Sequence, residues 1–241
     1  MARPPRKLPL LAVLTCAALA PACRRPPAPL PVAVPKPVVP PMVHQPVPPA
    51  ELPLFAPRAF QPLALDGALT ESIWRAAAHS GPFADEQTGQ PAVPHSELRL
   101  ADDGERLLLG LYAADEDIVA KAKQTDPLDP ADDAFIVHIQ HPGGTAPYEL
   151  YVSANGTIRE TAAAPAATAQ HLAASSCAVE MDGSLNNPDD DDEEWVVECI
   201  VPLARLGAHI GDTLEFAVKR CDTPKNAARR CGVWRRRVQI Q

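Results

Sequence analysis

A chain of 241 residues with a formal net charge of −8 suits one domain with a sizeable core and leaves little room for a second. The charge is uneven: residues 63–218 carry 28 Asp and Glu against 7 Lys and Arg, whereas 219–237 carry 8 Lys and Arg against one Asp. The acidic body argues against a nucleic-acid partner, which needs clustered positive charge, and the basic tail reads as a solvated edge or a docking surface for acidic lipid or polysaccharide.

The N-terminus is built for export. Arg3, Arg6 and Lys7 precede an apolar stretch over 8–14 and 17–20, interrupted by Thr15 and Cys16 and closed by Pro21. The stretch is too short for a ~30 Å hydrocarbon core, which needs ~20 apolar residues, so 1–22 reads as a removed signal peptide. Cys23 follows Leu19, Ala20, Pro21 and Ala22, a run that resembles the lipobox of bacterial lipoproteins. Lipidation at Cys23 would anchor an exported domain at the outer membrane or in the periplasm; ordinary cleavage nearby would release it. Residues 21–62 then hold 15 of the 29 prolines. Proline lacks the backbone donor and fixes φ, so 23–62 reads as an extended tether.

The folded domain is expected over 63–241. Leu65-Asp66-Gly67 is a turn, followed by a helical stretch over 68–78 with Leu69, Ile73, Ala76 and Ala77 on one face and Trp74 beside it. Strand patterns follow at 96–100 and 107–113, around the Asp102-Asp103-Gly104 turn, and at 135–140 and 148–154, around His141-Pro142-Gly143-Gly144. Asn155-Gly156 is a hairpin turn into 157–160. Further strands are expected at 171–181, 195–201, 213–220 and 233–240, and 202–207 reads as one helical turn with Pro at its start and Gly at its stop. Eight or nine short alternating strands with few helices predict an all-β, two-sheet antiparallel sandwich with short peripheral helices.

Four cysteines lie in the domain, and an even number in an exported chain predicts two disulfides. If residue 179 faces 197 in a hairpin, Cys177 lies opposite Cys199, and Cys221 and Cys231 then close a short basic loop. The spacings are too wide for zinc, and no CxxC occurs.

Five motifs in order, LDGALTESIW at 65–74, PADDAFIVHI at 130–139, PYELYVSANGTI at 147–158, WVVECIVPLARLG at 195–207 and LEFAVKR at 214–220, resemble family 9 carbohydrate-binding modules and their DOMON-like relatives. The resemblance implies a jelly-roll or DOMON-like sandwich that binds oligo- or polysaccharide without catalysis, with any glycosidase on a separate chain. The alternative is a structural or protein-binding surface lipoprotein with no sugar ligand. Asp133, Glu149, Glu198 and Arg220 match the family's most recurrent polar positions. With Arg159, Tyr151 and Trp195 they form the candidate ligand set, to which Asp126, Asp129, Asp132 and Asn155 add polar neighbours. Carboxylates inside strands must face solvent, a ligand cleft or a cation, so the same residues also fit an internal salt-bridge network. The resemblance places Trp74 and Trp195 in the core, with Trp195 the weaker sugar platform in a chain only 5% aromatic.

The loop ahead of Trp195 is acidic. Asp182, Asp189, Asp190 and Asp191 offer closely spaced oxygens of the kind calcium takes six to eight of, which makes Ca2+ the candidate ion, although no EF-hand pattern is present. Enzyme signatures are lacking: no G-x-S-x-G, H-E-x-x-H or P-loop occurs, and the seven histidines are scattered.

Overall fold

The computed structural model describes residues 52–123, 129–144, 146–163 and 170–241. The export segment, Cys23, most of the expected tether and Asp126 lie outside the described residues. Twelve strands and two short helices occupy the described chain. They run β1 (Leu54–Ala56), α1 (Ser72–Ala76), β2 (Ala78–His79), β3 (Ala84–Asp85), β4 (Ser96–Asp102), β5 (Arg106–Ala114), β6 (Ala134–Gln140) and β7 (Tyr148–Ser153). After these come β8 (Ile158–Thr161), β9 (Ser176–Asp182), β10 (Glu194–Pro202), α2 (Leu203–Leu206), β11 (Thr213–Asp222) and β12 (Arg230–Ile240).

Two sheets form, as the alternation predicts. One has the order β1-β12-β11-β6-β7-β8, with β3 also on β12; the other is β2-β4-β5-β10-β9. Neighbours are antiparallel except β1, which runs parallel to β12. Period-2 alternation sends Phe135, Val137 and Ile139 of β6, Leu150 and Val152 of β7, and Leu214, Phe216 and Val218 of β11 inward. They meet Leu98, Leu100, Leu107, Leu109, Leu111, Val197 and Val201 of the second sheet in one buried core.

The sheet begins earlier than expected. Leu54, Phe55 and Ala56, assigned to the tether, pair with Val238, Gln239 and Ile240. Pro53 and Pro57 bracket this segment, and an edge strand tolerates both because it needs few donors. Arg58 ties the same segment down through Asp102 at 2.9 Å. The helix is shorter than the expected 68–78: Ala77 is already extended at ψ 156°, and Glu71 at the N-cap makes no side-chain cap bond. The two-residue strands β2 and β3 are too short to show alternation.

α1 lies on the outer face of the five-stranded sheet, where Ile73 and Trp74 cover Ala101 and Leu108. Gly110 permits this: a Cβ there would meet Leu69 at 2.8 Å and the Trp74 ring at 3.1 Å. The preceding turn is seated just as closely. Gly67 has φ +97°, and a Cβ there would lie 2.7 Å from the Val179 carbonyl carbon. Both disulfides form as expected. Val179 faces Val197, Cys177 is bonded to Cys199, and Cys221 to Cys231 across β11 and β12.

Candidate functional site

The seven-stranded sheet turns its second face to a groove. Cross-strand pairing lays out two adjacent rows: Arg159, Tyr151, Ile136 and Lys219 in one, and Thr161, Glu149, His138, Ala217 and Arg235 in the next. Residues directly opposite one another share a face, so each row is a line of neighbouring side chains. The first row and its surroundings enclose about 640 Å³, with Asp129, Pro130 and Arg229 at the rim and the Cys221–Cys231 bridge along one side. A shallower depression of about 400 Å³ continues past His138 and is lined by Gln140, Glu215 and Arg235.

Tyr151 is the most distinctive group here. It is only 7% exposed, and its hydroxyl has no hydrogen-bond partner among the described residues. Burial, reinforced by the Asp132 carboxylate, pushes its ionisation up to about 12, so it remains a neutral O–H donor. Arg159, directly opposite, donates from Nη2 to the Lys123 carbonyl at 3.2 Å while its Nε is buried without a partner. Arg229 donates to the Asp132 carbonyl at 2.9 Å and to Thr223 Oγ1 at 3.0 Å. Lys219 lies 2.5 Å from Glu86, and His138 lies 3.2 Å from Glu149, a pair that is ionic only when the imidazole is protonated. The arrangement offers donors to an oxygen-rich ligand over a partly apolar floor, the makeup of a small-molecule site.

The structure brings Glu149, Tyr151 and Arg159 of the candidate ligand set into this groove. It places the other four elsewhere. Trp195 is fully buried, its ring 4.9 Å from Phe135 and its Nε1 donating to Asp115 Oδ2 at 3.0 Å. Arg220 is 2% exposed and reaches the same Asp115 oxygen at 2.6 Å and Asp222 at 3.3 Å. Asp133 accepts the Val119 and Thr223 amides, each at 2.7 Å. The carboxyl oxygens of Asp115, Asp133 and Asp222 lie within 4.8 Å of one another. Burial raises the Asp115 carboxyl above the usual range. Burial, with the Asp115 charge beside it, lifts Asp133 to about 7.

Glu198 belongs to the other sheet altogether. Its carboxylate accepts Trp74 Nε1 at 2.7 Å and the Asp66 and Gly67 amides at 3.1 Å, so it clamps the opening turn and α1 to β10. Burial outweighs these three bonds and raises it to about 7. These four side chains therefore hold the sandwich together, because each is buried and bonded to protein groups, although Arg220 Nε has no partner among the described residues.

The acidic loop does not gather its expected ligands. Among the described residues, carboxylates converge within 4.8 Å only in the sets Asp66, Glu71, Glu198 and Asp115, Asp133, Asp222, and Asp182, Asp189, Asp190 and Asp191 are in neither. Asp190 accepts the Ser184 hydroxyl instead, and Asp192 accepts the Ile118 and Ser184 amides, each at 2.7 Å. This donor set does not fit a preformed calcium site.

The sequence reading missed Arg229, Lys219 and Asp115. Lys219 was recoverable from parity, since it alternates with the core residue Val218. Arg229 sits ahead of β12 on an irregular segment with no periodic signal, and Asp115 ends a strand as an ordinary turn residue would.

No protein-family model and no curated protein matches the chain. Solved structures do share its fold. One is a Bacteroides uniformis protein described as carbohydrate-binding, at TM-score 0.54 and 11% identity, covering 78% of this chain and 98% of that one. Two are family 9 carbohydrate-binding modules of Caldicellulosiruptor kristjanssonii, one in complex with cellotriose and one with glucose. Both score 0.54 at 14% identity over 79% of this chain, and 94% and 96% of theirs.

Proposed function

We propose that this protein binds a carbohydrate, without transforming it, in the groove on the outer face of the seven-stranded sheet. Tyr151 carries the reading: a side chain 7% exposed whose hydroxyl has no partner among the described residues offers a hydrogen bond at the floor of a cavity sized for a sugar unit. Glu149, Arg159 and His138 would take neighbouring hydroxyls, and Ile136 the apolar C–H face. Shared fold with modules that hold cellotriose and glucose supports the ligand class. The basic n-region, short apolar stretch and Cys23 support display of the module as an exported, lipid-anchored protein.

Isothermal titration of the purified chain, disulfides formed, against a panel of soluble oligosaccharides tests this. Saturable heat that Tyr151→Ala abolishes, with the fold intact by circular dichroism, is the expected result. Flat traces across the panel would refute sugar binding and point to a protein-binding role. Parallel titrations with calcium and with chelator test the expectation placed on Asp182, Asp189, Asp190 and Asp191.

A further inference from the structure

On the carbohydrate reading, which this step presupposes, we propose that the ligand is an acidic glycan whose carboxylate or sulfate seats against Tyr151, Arg159 and Arg229. Arg159 and Arg229 both line the groove, both are half-buried, and among the described residues neither has a carboxylate within salt-bridge distance. Lys219 is neutralised by Glu86 and Glu160 by Arg205, while Glu149 lies 3.2 Å from His138, which carries charge only when protonated. Asp129 is at the rim, and its carboxylate is engaged by the Ala131 amide at 2.8 Å.

The two guanidiniums are therefore the cations of the cavity that have no carboxylate partner among the described residues. They flank the one buried hydroxyl that lacks a partner among the described residues, and both act electrostatically on it. A planar guanidinium presents a fork of N–H donors that matches an oxyanion pairwise, which a neutral hydroxyl cannot do.

The charge map of the chain fits this. Its concentrated positive stretch, 219–237, lies on β11, β12 and the segment joining them. Lys219, Arg229 and Arg235 of that stretch line the groove and its extension. In an otherwise acidic protein this makes the groove face a local positive field, which raises the encounter rate of anionic ligands and weakens with salt.

Titration of the full chain, disulfides formed, against a galacturonic acid trimer, its methyl ester, a sulfated trisaccharide and cellotriose is the test. An anionic trimer should bind about tenfold or more tightly than the methyl ester and cellotriose, with the preference shrinking as ionic strength rises. Whichever anionic arm binds more tightly identifies carboxylate or sulfate. Arg229→Gln and Arg159→Lys should each erase most of the preference, the second because it keeps the charge and loses the fork, while Arg75→Gln, on α1 over the other sheet, leaves it unchanged. Equal binding of cellotriose or the methyl ester would overturn the anionic site and leave carbohydrate binding standing. An equal loss with Arg75→Gln would overturn its placement. Silence in every arm would overturn both readings.

Discussion

Replacing Arg220 by methionine tests the assignment of a predicted ligand residue to the interior. Arg220 Nη2 lies 2.6 Å from Asp115 and 3.3 Å from Asp222, all three side chains are at most 2% exposed, and Asp133 completes the acidic cluster within 4.8 Å. A second cation on the cluster, Arg230, is 42% exposed and bonds Asp222 at 2.7 Å. Breaking a buried pair by removing one partner costs about 3–5 kcal/mol, because an uncompensated charge stays behind. That is a large share of the 5–15 kcal/mol typical of a domain. Urea unfolding followed by tryptophan fluorescence suits the measurement, since Trp195 bonds the same Asp115. The loss should be largest near pH 8 and smaller near pH 5, where the stranded carboxylates take up protons in the folded state and shed their charge. A loss under about 1 kcal/mol at pH 8, or one independent of pH, would refute the network.

Three further outcomes follow from particular residues. Asp133 titrates near 7 when folded against an ordinary 3.8, so the folded state binds the extra proton between those values and stability falls as pH rises through that window. The contribution is about 4 kcal/mol at 1.36 kcal/mol per pH unit, and Asp133→Asn should flatten this part of the stability–pH curve; an unchanged slope would sink the assignment. Gly67→Ala should cost about 2 kcal/mol or more in chemical denaturation, because φ +97° and a Cβ 2.7 Å from the Val179 backbone compound each other. Tyr151→Phe should leave the melting temperature unchanged or raise it slightly, since the hydroxyl it removes bonds nothing among the described residues, yet weaken sugar binding about tenfold. A clear stability loss in that variant would mean the hydroxyl serves the fold.

The long strands were legible because each of β4, β5, β6, β7, β10, β11 and β12 runs for six residues or more, as apolar–polar alternation or, in β5, as a near-continuous apolar run. β1 was hidden by the prolines on either side of it, and β2 and β3 by their two-residue length. The Cys177–Cys199 pair followed from register alone. Of the site, Glu149, Tyr151 and Arg159 were legible as polar or amphipathic residues on adjacent predicted strands. At the acidic loop, proximity in sequence does not make side chains converge. Asp190 and Asp192 turn to Ser184 and the backbone, and Asp189 and Asp191 stay exposed.

Parity separates the residues that form the groove from those that only resembled them. Asp133 stands two residues before Phe135, and Arg220 two after Val218, so both share the core-facing register and had to find partners inside. Glu149 and Tyr151 alternate with Leu150 and Val152 and therefore face outward. Glu198 has the outward parity too, one step from Val197, yet it is fully buried because α1 and the Asp66-Gly67 turn lie over it. Outward parity alone thus marks a site only where nothing covers the sheet. On the five-stranded sheet Trp74, seated on Gly110, closes that option. On the seven-stranded sheet the rows from Arg159 to Lys219 and from Thr161 to Arg235 keep a groove open, so a polar substitution series along those rows should alter binding while one along β10 should alter stability.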